Sequence, residues 1–226
     1  FDSRNIYAKW VNDMIDAQEA DGNVPGIVPT SWHWDSNWAG PMWDAAIFIT
    51  PHLLYQYSGD TRAIETIYPA AKRYLEYLQT REEANGTINH GLGDWLFYKA
   101  QTPVDFMATC FYYWDNVLMA QMARLTGREP EAAPYEAKAE KLKVLINELF
   151  FDPEKVCYSN GTQLSYALPL YVGIVPEQYE KRLAENLNCC IADNDYSLDF
   201  GFIGSLVVPA VLSDYGYADA VYRMVT

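Results

Sequence analysis

Between residues 31 and 44 the chain reads Ser31-Trp32-His33-Trp34-Asp35-Ser36-Asn37-Trp38-Ala39-Gly40-Pro41-Met42-Trp43-Asp44, four tryptophans and two aspartates in a stretch without periodicity. Indole faces take the apolar C–H surface of a sugar ring, while carboxylate oxygens accept from its hydroxyls, so interleaved indoles and acids suit a carbohydrate. A loop rich in aromatics can equally plug the end of a hydrophobic core, because Trp is mostly buried. A second segment, Gly91-Leu92-Gly93-Asp94-Trp95-Leu96, repeats the pairing of an acid with an indole. Trp43 with Asp44, and Asp94 with Trp95, are therefore the leading candidates for clamping one ring, with Trp38 beside them. Each Asp could instead cap the helix that follows.

Other acids and imidazoles are weaker candidates. Asp35, Asp105, Asp193, Asp195 and Asp199 fall in or next to the same long loops; Asp105 and Asp199 each precede an apolar helix and read as N-caps. His33 and His90 have no second ligand at a metal-binding spacing, and Cys110, Cys157, Cys189 and Cys190 show neither metal nor redox spacing. No metal or other cofactor is implied. Asn85-Gly86-Thr87 and Asn160-Gly161-Thr162 match the glycosylation acceptor pattern, which matters only in a eukaryotic secretory pathway.

The elements that must hold these residues are helical. Ile6, Trp10 and Met14 mark one helix face, and Ile64, Ile67, Ala71, Tyr74 and Leu78 another. The expected helices are 3–18, 41–57, 61–83, 104–126, 131–150, 163–172, 176–191, 201–214 and 217 onward, an all-α fold. Pro169 and Pro209 either kink their helices or mark first turns. Connections alternate long (19–40, 84–103, 151–162, 192–200) with short (58–60, 126–130, 172–175, 214–217). Since short turns join antiparallel neighbours, every long loop should emerge at one end, and repeated hairpins closing into a toroid would give that end a central cleft.

At 226 residues, half of them hydrophobic, the chain suits one domain, and no apolar run approaches the roughly 20 residues that cross a bilayer. It starts at Phe1 and stops within the amphipathic stretch 218–225, as expected of a piece of a larger protein whose other domains would be its partners. A formal charge of −14 argues against nucleic acid or an anionic membrane as partner. The compartment stays open.

Asn23-Val24-Pro25, Pro41-Met42-Trp43-Asp44-Ala45-Ala46 with Pro51 and Tyr55, Gly93-Asp94-Trp95-Leu96, Gly161-Thr162-Gln163 with Ala167-Leu168, and Gly201-Phe202-Ile203-Gly204-Ser205 resemble, in that order, the six-hairpin domain of bacterial α-L-rhamnosidases. The resemblance covers nearly the whole chain and implies an (α/α)6 barrel. It also implies inverting hydrolysis of terminal α-L-rhamnosides, with a carboxyl pair about 6.5 to 9.5 Å apart. The family's Trp-Gly-Asp-Ala reads Trp43-Asp44-Ala45 here, and its rhamnose-contacting tryptophans match Trp43 and Trp95. Its general acid Glu lies in a motif just before the first helix and its base Glu after the last. Neither motif occurs in residues 1–226, so the isolated segment is expected to be inactive. The same aromatics would serve a glucosidase- or trehalase-like barrel enzyme or a non-catalytic helical sugar-binding module.

Overall fold

The computed structural model describes residues 2–30 and 38–226. Its elements in chain order are α1 (Arg4–Ala17), α2 (Pro41–Asp44), α3 (Ala46–Ser58), α4 (Arg62–Thr80), α5 (Val104–Leu125), α6 (Glu129–Phe150), strands β1 (Phe151–Asp152) and β2 (Cys157–Tyr158), α7 (Gln163–Val172), α8 (Glu177–Asp193), α9 (Phe202–Asp214) and α10 (Ala218–Val225). The fold is all-α, as the periodicity requires.

Two departures from the sequence pattern have local causes. The helix expected at 41–57 is interrupted at Ala45, where φ and ψ are −52° and −14°, so the short Pro-initiated turn α2 precedes α3. The loop after α6 contains an antiparallel pair, Phe151 opposite Tyr158 and Asp152 opposite Cys157, closed by Asp152 Oδ1 accepting the N–H groups of Glu154 and Lys155. Strands of two residues are too short to show alternation.

The long connections meet one another. Leu92 N–H donates to Ala39 O at 3.0 Å, Asn160 Nδ2 to Gln101 O at 2.9 Å, and the Thr102 and Thr162 hydroxyls lie 2.7 Å apart. Lys99 and Ala100 donate their N–H groups to Asp199 at 2.6 and 3.0 Å, which brings in the fourth long loop. The helices that leave these loops, α3, α5, α7 and α9, therefore start from one end and run parallel, and α4, α6, α8 and α10 return outside them. The sequences agree with that division. On α4, Ile64, Ile67, Ala71, Tyr74 and Leu78 bury one face and leave the other polar, as an outer helix requires. On α5, the run Phe106–Tyr113 is buried on every side. Pro51, Pro169 and Pro209 lie inside α3, α7 and α9, which settles the choice left open by the sequence for the last two in favour of helix interior.

The core is continuous between the two layers. Tyr74 is fully buried with its ring 6.0 Å from Phe48 and 6.0 Å from Tyr77. Tyr158 anchors the small hairpin, its ring 6.0 Å from Phe106 and 4.8 Å from Phe151 and its hydroxyl donating to Asn147 at 2.6 Å. Burying one such side chain contributes about 1.5 to 3 kcal/mol. No helix among the described residues is long and apolar enough to cross a membrane.

Candidate functional site

Glycine lets the first two long loops touch. Gly40 adopts a left-handed φ of 75°, and a Cβ there would lie 2.6 Å from the Cα of Gly91. Pro41 then opens α2 with its fixed φ, and the turn delivers Trp43 to the long-loop end. The Trp43 indole N–H donates to Gly93 O at 3.0 Å, so the ring is tied to the second loop and is only half-buried. Trp38 is also half-buried, its indole against Gly26, where an added Cβ would meet the ring at 3.2 Å.

Asp94 is almost wholly buried, and both its oxygens are engaged. Oδ2 accepts the Gly201 N–H at 2.6 Å, and Oδ1 accepts those of Ile203 and Gly204 at 2.9 and 3.2 Å. Phe202 N–H donates to Trp95 O at 3.0 Å, so the dipeptide Asp94-Trp95 takes four consecutive N–H groups at the start of α9. This is an N-cap supplied from a distant loop; Asp94 does not cap the segment that follows it. Burial pushes the Asp94 carboxyl above the ordinary carboxylate range, and the three N–H bonds pull it back.

Asp199, which the sequence offers as a cap for the same helix, faces the other way and holds Lys99 and Ala100. Its own N–H is held by Gln163 Oε1 at 3.1 Å, while Gln163 Nε2 donates to Ser197 O at 3.0 Å. The two aspartates thus exchange backbone bonds between the loops. Lys99 Nζ adds a bond to Asn194 Oδ1 at 3.1 Å.

Over this frame lies an aromatic cluster open to solvent. Trp95 is 48% exposed and stacks on Phe202, itself 54% exposed, with centroids 5.5 Å apart and planes 20° from parallel. Phe202 lies 6.3 Å from Trp43 in a tilted arrangement. Leu96 takes a left-handed φ of 65°, uncommon for a leucine, which turns the chain just after Trp95. The three rings make a wall whose exposed surface suits the C–H face of a sugar.

Asp44, next in sequence to Trp43, turns into the core. Its carboxylate is buried, and Oδ2 accepts from the Tyr74 hydroxyl at 3.1 Å. Oδ1 of Asp44 and both oxygens of the fully buried Asp115 on α5 lack a hydrogen-bond partner among the described residues. Burial pushes both carboxyls well above the ordinary range, and the negative charge of Asp44 adds to the effect on Asp115. The Tyr74 hydroxyl is raised by burial and then by these two acids. Asp44 thus lies in the interior and Asp94 at a helix cap, neither open to solvent.

Of the remaining candidates, Asp105 accepts its neighbour Phe106 N–H at 2.8 Å from within α5 and is not its N-cap; that position belongs to Pro103. Asp193 and Asp195 are exposed around the end of α8. Trp32, His33, Trp34 and Asp35 lie outside the described residues. Among the described residues no three His, Cys, Asp or Glu side chains gather as a metal site. A cavity of about 720 Å³ lies between the start of α1 and the end of α3, lined by Tyr7, Leu53 and Tyr57 among others and by none of the site candidates.

Sequence reasoning did not assign Phe202, Tyr74 or Asp115. A large apolar residue directly after Gly201 at a helix start was a usable sign for Phe202. An acid inside the aromatic run Phe111-Tyr112-Tyr113-Trp114-Asp115 was one for Asp115.

The model of the bacterial α-L-rhamnosidase six-hairpin glycosidase domain matches residues 1–226. The α-L-rhamnosidase of Streptomyces avermitilis is 30% identical over 224 residues, 99% of this chain and 21% of that protein. That of an Alteromonas species is 27% identical over 235 residues, 97% of this chain and 25% of that protein. This chain therefore spans about a quarter or less of the length of these relatives. Among solved structures, the S. avermitilis enzyme complexed with L-rhamnose superposes with a TM-score of 0.90 at 30% identity, over 98% of this chain and 21% of that one. The α-L-rhamnosidase of Dictyoglumus thermophilum gives 0.88 at 28% identity, over 99% and 26%. With its alternating loops, parallel inner helices and matching motifs, the chain belongs to the bacterial α-L-rhamnosidase six-hairpin glycosidase domain family.

Proposed function

We propose that this domain supplies the sugar-binding wall of a glycoside hydrolase that removes terminal α-L-rhamnosyl residues with inversion, and that its general acid and base are glutamates outside residues 1–226. The single observation that carries the reading is the solvent-open cluster of Trp95, Phe202 and Trp43 at the long-loop end of a six-hairpin domain. Rhamnose is a 6-deoxy sugar, so its methyl and ring C–H groups give an aromatic wall more apolar surface than glucose does. Desolvating that surface against indoles favours binding, while hydroxyl groups require acceptors from elsewhere.

In this assignment Trp95 and Trp43 contact the sugar, Trp38 extends the wall along the first loop, Asp94 supports it through the start of α9, and Asp44 holds the core next to Trp43 through Tyr74. Inversion needs one carboxylic acid to protonate the leaving oxygen and one carboxylate to activate water, about 6.5 to 9.5 Å apart. Neither aspartate suits those roles. Asp94 spends its oxygens on backbone N–H groups, and Asp44 is shut away from solvent. A carbohydrate in a longer enzyme, with other domains of the same chain as partners, is consistent with the 21 and 25% of the relatives' length that this chain spans.

The test is hydrolysis of p-nitrophenyl α-L-rhamnoside by the full-length protein, with p-nitrophenyl α-glucoside alongside. Turnover of the first alone is expected. Turnover of the glucoside alone would move the assignment to a glucosidase-type barrel, and sugar binding without turnover of either would make the domain a non-catalytic module.

A further inference from the structure

We propose that Asp94 is a positioning residue for the sugar: by capping α9 from the opposite loop it sets Phe202 against Trp95 and so fixes the plane of the indole that the ligand meets. The inference rests on the reading of Trp95 as a sugar platform and adds two residues to it.

Trp95 projects from a turn in which the next residue, Leu96, is already in the left-handed region, and nearly half of its surface is open. A ring so placed needs a neighbour to hold one face while the other receives ligand. Phe202 is that neighbour, 5.5 Å away and within 20° of parallel. Phe202 is the first residue of α9, so its direction depends on how that helix begins. Four N–H groups there, from Gly201 to Gly204, go to the Asp94 carboxylate and the Trp95 carbonyl. Gly201 comes so close that a Cβ on it would lie 2.1 Å from Trp95 O. The same two residues therefore present the indole and orient its backing ring. Asp94 itself is 2% exposed and its carboxylate accepts three N–H groups at the start of α9, so burial keeps it from a sugar hydroxyl.

The test uses the full-length protein labelled with 5-fluorotryptophan, the Trp95 ¹⁹F resonance being assigned by its loss in Trp95→Phe. Asp94→Asn and Phe202→Leu are each expected to displace or broaden that resonance without ligand. Each is expected to raise KM for p-nitrophenyl α-L-rhamnoside roughly three- to tenfold, the size of one lost aromatic contact. The double variant is expected to raise it no further than the larger single change, because both act on the same ring. A purely structural Asp94 would lower the melting temperature and leave the resonance and KM in place; that result, or single effects that multiply in the double variant, overturns the proposal. Where Asp94→Asn does not accumulate as folded protein, Asp94→Glu keeps the charge, displaces the cap and is read by the same resonance. If the wild-type protein neither binds nor cleaves the rhamnoside, the proposed function falls, while the ¹⁹F spectra still decide whether Asp94 positions Trp95.

Discussion

The Asp94 carboxylate accepts the Gly201 N–H at 2.6 Å across a sequence separation of 107 residues, and Asp199 returns the exchange by holding Lys99 and Ala100 across 100 and 99. Charge-assisted bonds to backbone N–H groups are stronger than neutral ones. These tie the second and fourth long loops into one unit, and the exposed aromatic wall stands on it.

Gly201 is the narrowest point of that unit. Gly201→Ala would drive a Cβ into Trp95 O at 2.1 Å and Asp94 O at 2.6 Å, both backbone atoms that cannot swing aside. The expected loss of stability is about 2 to 4 kcal/mol, read as a lower unfolding midpoint in urea, accompanied by weaker rhamnoside binding. A midpoint within a few tenths of a molar of wild type would show that the loops can separate freely.

Trp95→Ala removes an exposed ring and little of the core. If the proposed rhamnosidase activity holds, the full-length protein is expected to keep its stability while kcat/KM for the rhamnoside falls by about 1 to 3 kcal/mol of transition-state binding, the range of one stacking contact. Unchanged kinetics would leave Trp95 without a part in binding.

Asp44 and Asp115 make stability depend on pH. Their folded-state carboxyls are raised well above the ordinary 3.8, so between that value and their folded values the native chain holds protons that the unfolded chain has released. Stability is therefore greatest on the acid side of this window and falls as pH rises, at up to about 1.4 kcal/mol per pH unit for each group. Asp115→Asn, neutral at all pH and nearly the same shape, should flatten the fall, with a larger gain in melting temperature at pH 8 than at pH 5. Parallel pH profiles for the two proteins would exclude Asp115 as a source of the slope.

Asp199→Ala should loosen the second long loop without unfolding the barrel. Loss of the two N–H bonds is expected to cost about 1 to 3 kcal/mol. It should show as faster hydrogen exchange at Lys99 and Ala100, with exchange in α5 unchanged. Equal protection in wild type and variant would mean that Lys99–Asn194 and the rest of the loop suffice.

The helices and their hairpin order were legible because they repeat a physical pattern. Ile64, Ile67, Ala71 and Tyr74 recur at helical spacing, and Gly59 ends α3 in the left-handed conformation just before α4 begins. The clustering of long loops was legible from their lengths alone. The jobs of the acids were not. Asp94 and Asp199 satisfy N–H groups about 100 residues away, and local sequence carries no record of such a partner. Asp44 sits beside a half-buried tryptophan yet turns inward, because α2 is a single turn that places neighbouring side chains on different sides. Phe202 meets Trp95 only through the packing of α9 against the second long loop, which its local sequence does not record.

The exchange between the second and fourth loops also sets an order of events. As the ribosome delivers the chain from its amino end, Trp95 emerges long before Gly201 and Phe202 do, and during that interval the Asp94 carboxylate has no helix to cap. The hairpin of α5 and α6 closes through a short turn, whereas the Asp94–Gly201 contact spans 107 residues and carries the larger loop-closure entropy. A chain cut short before Phe202 would therefore lack the capped helix start and the backing ring together, leaving Trp95 without its stacked neighbour.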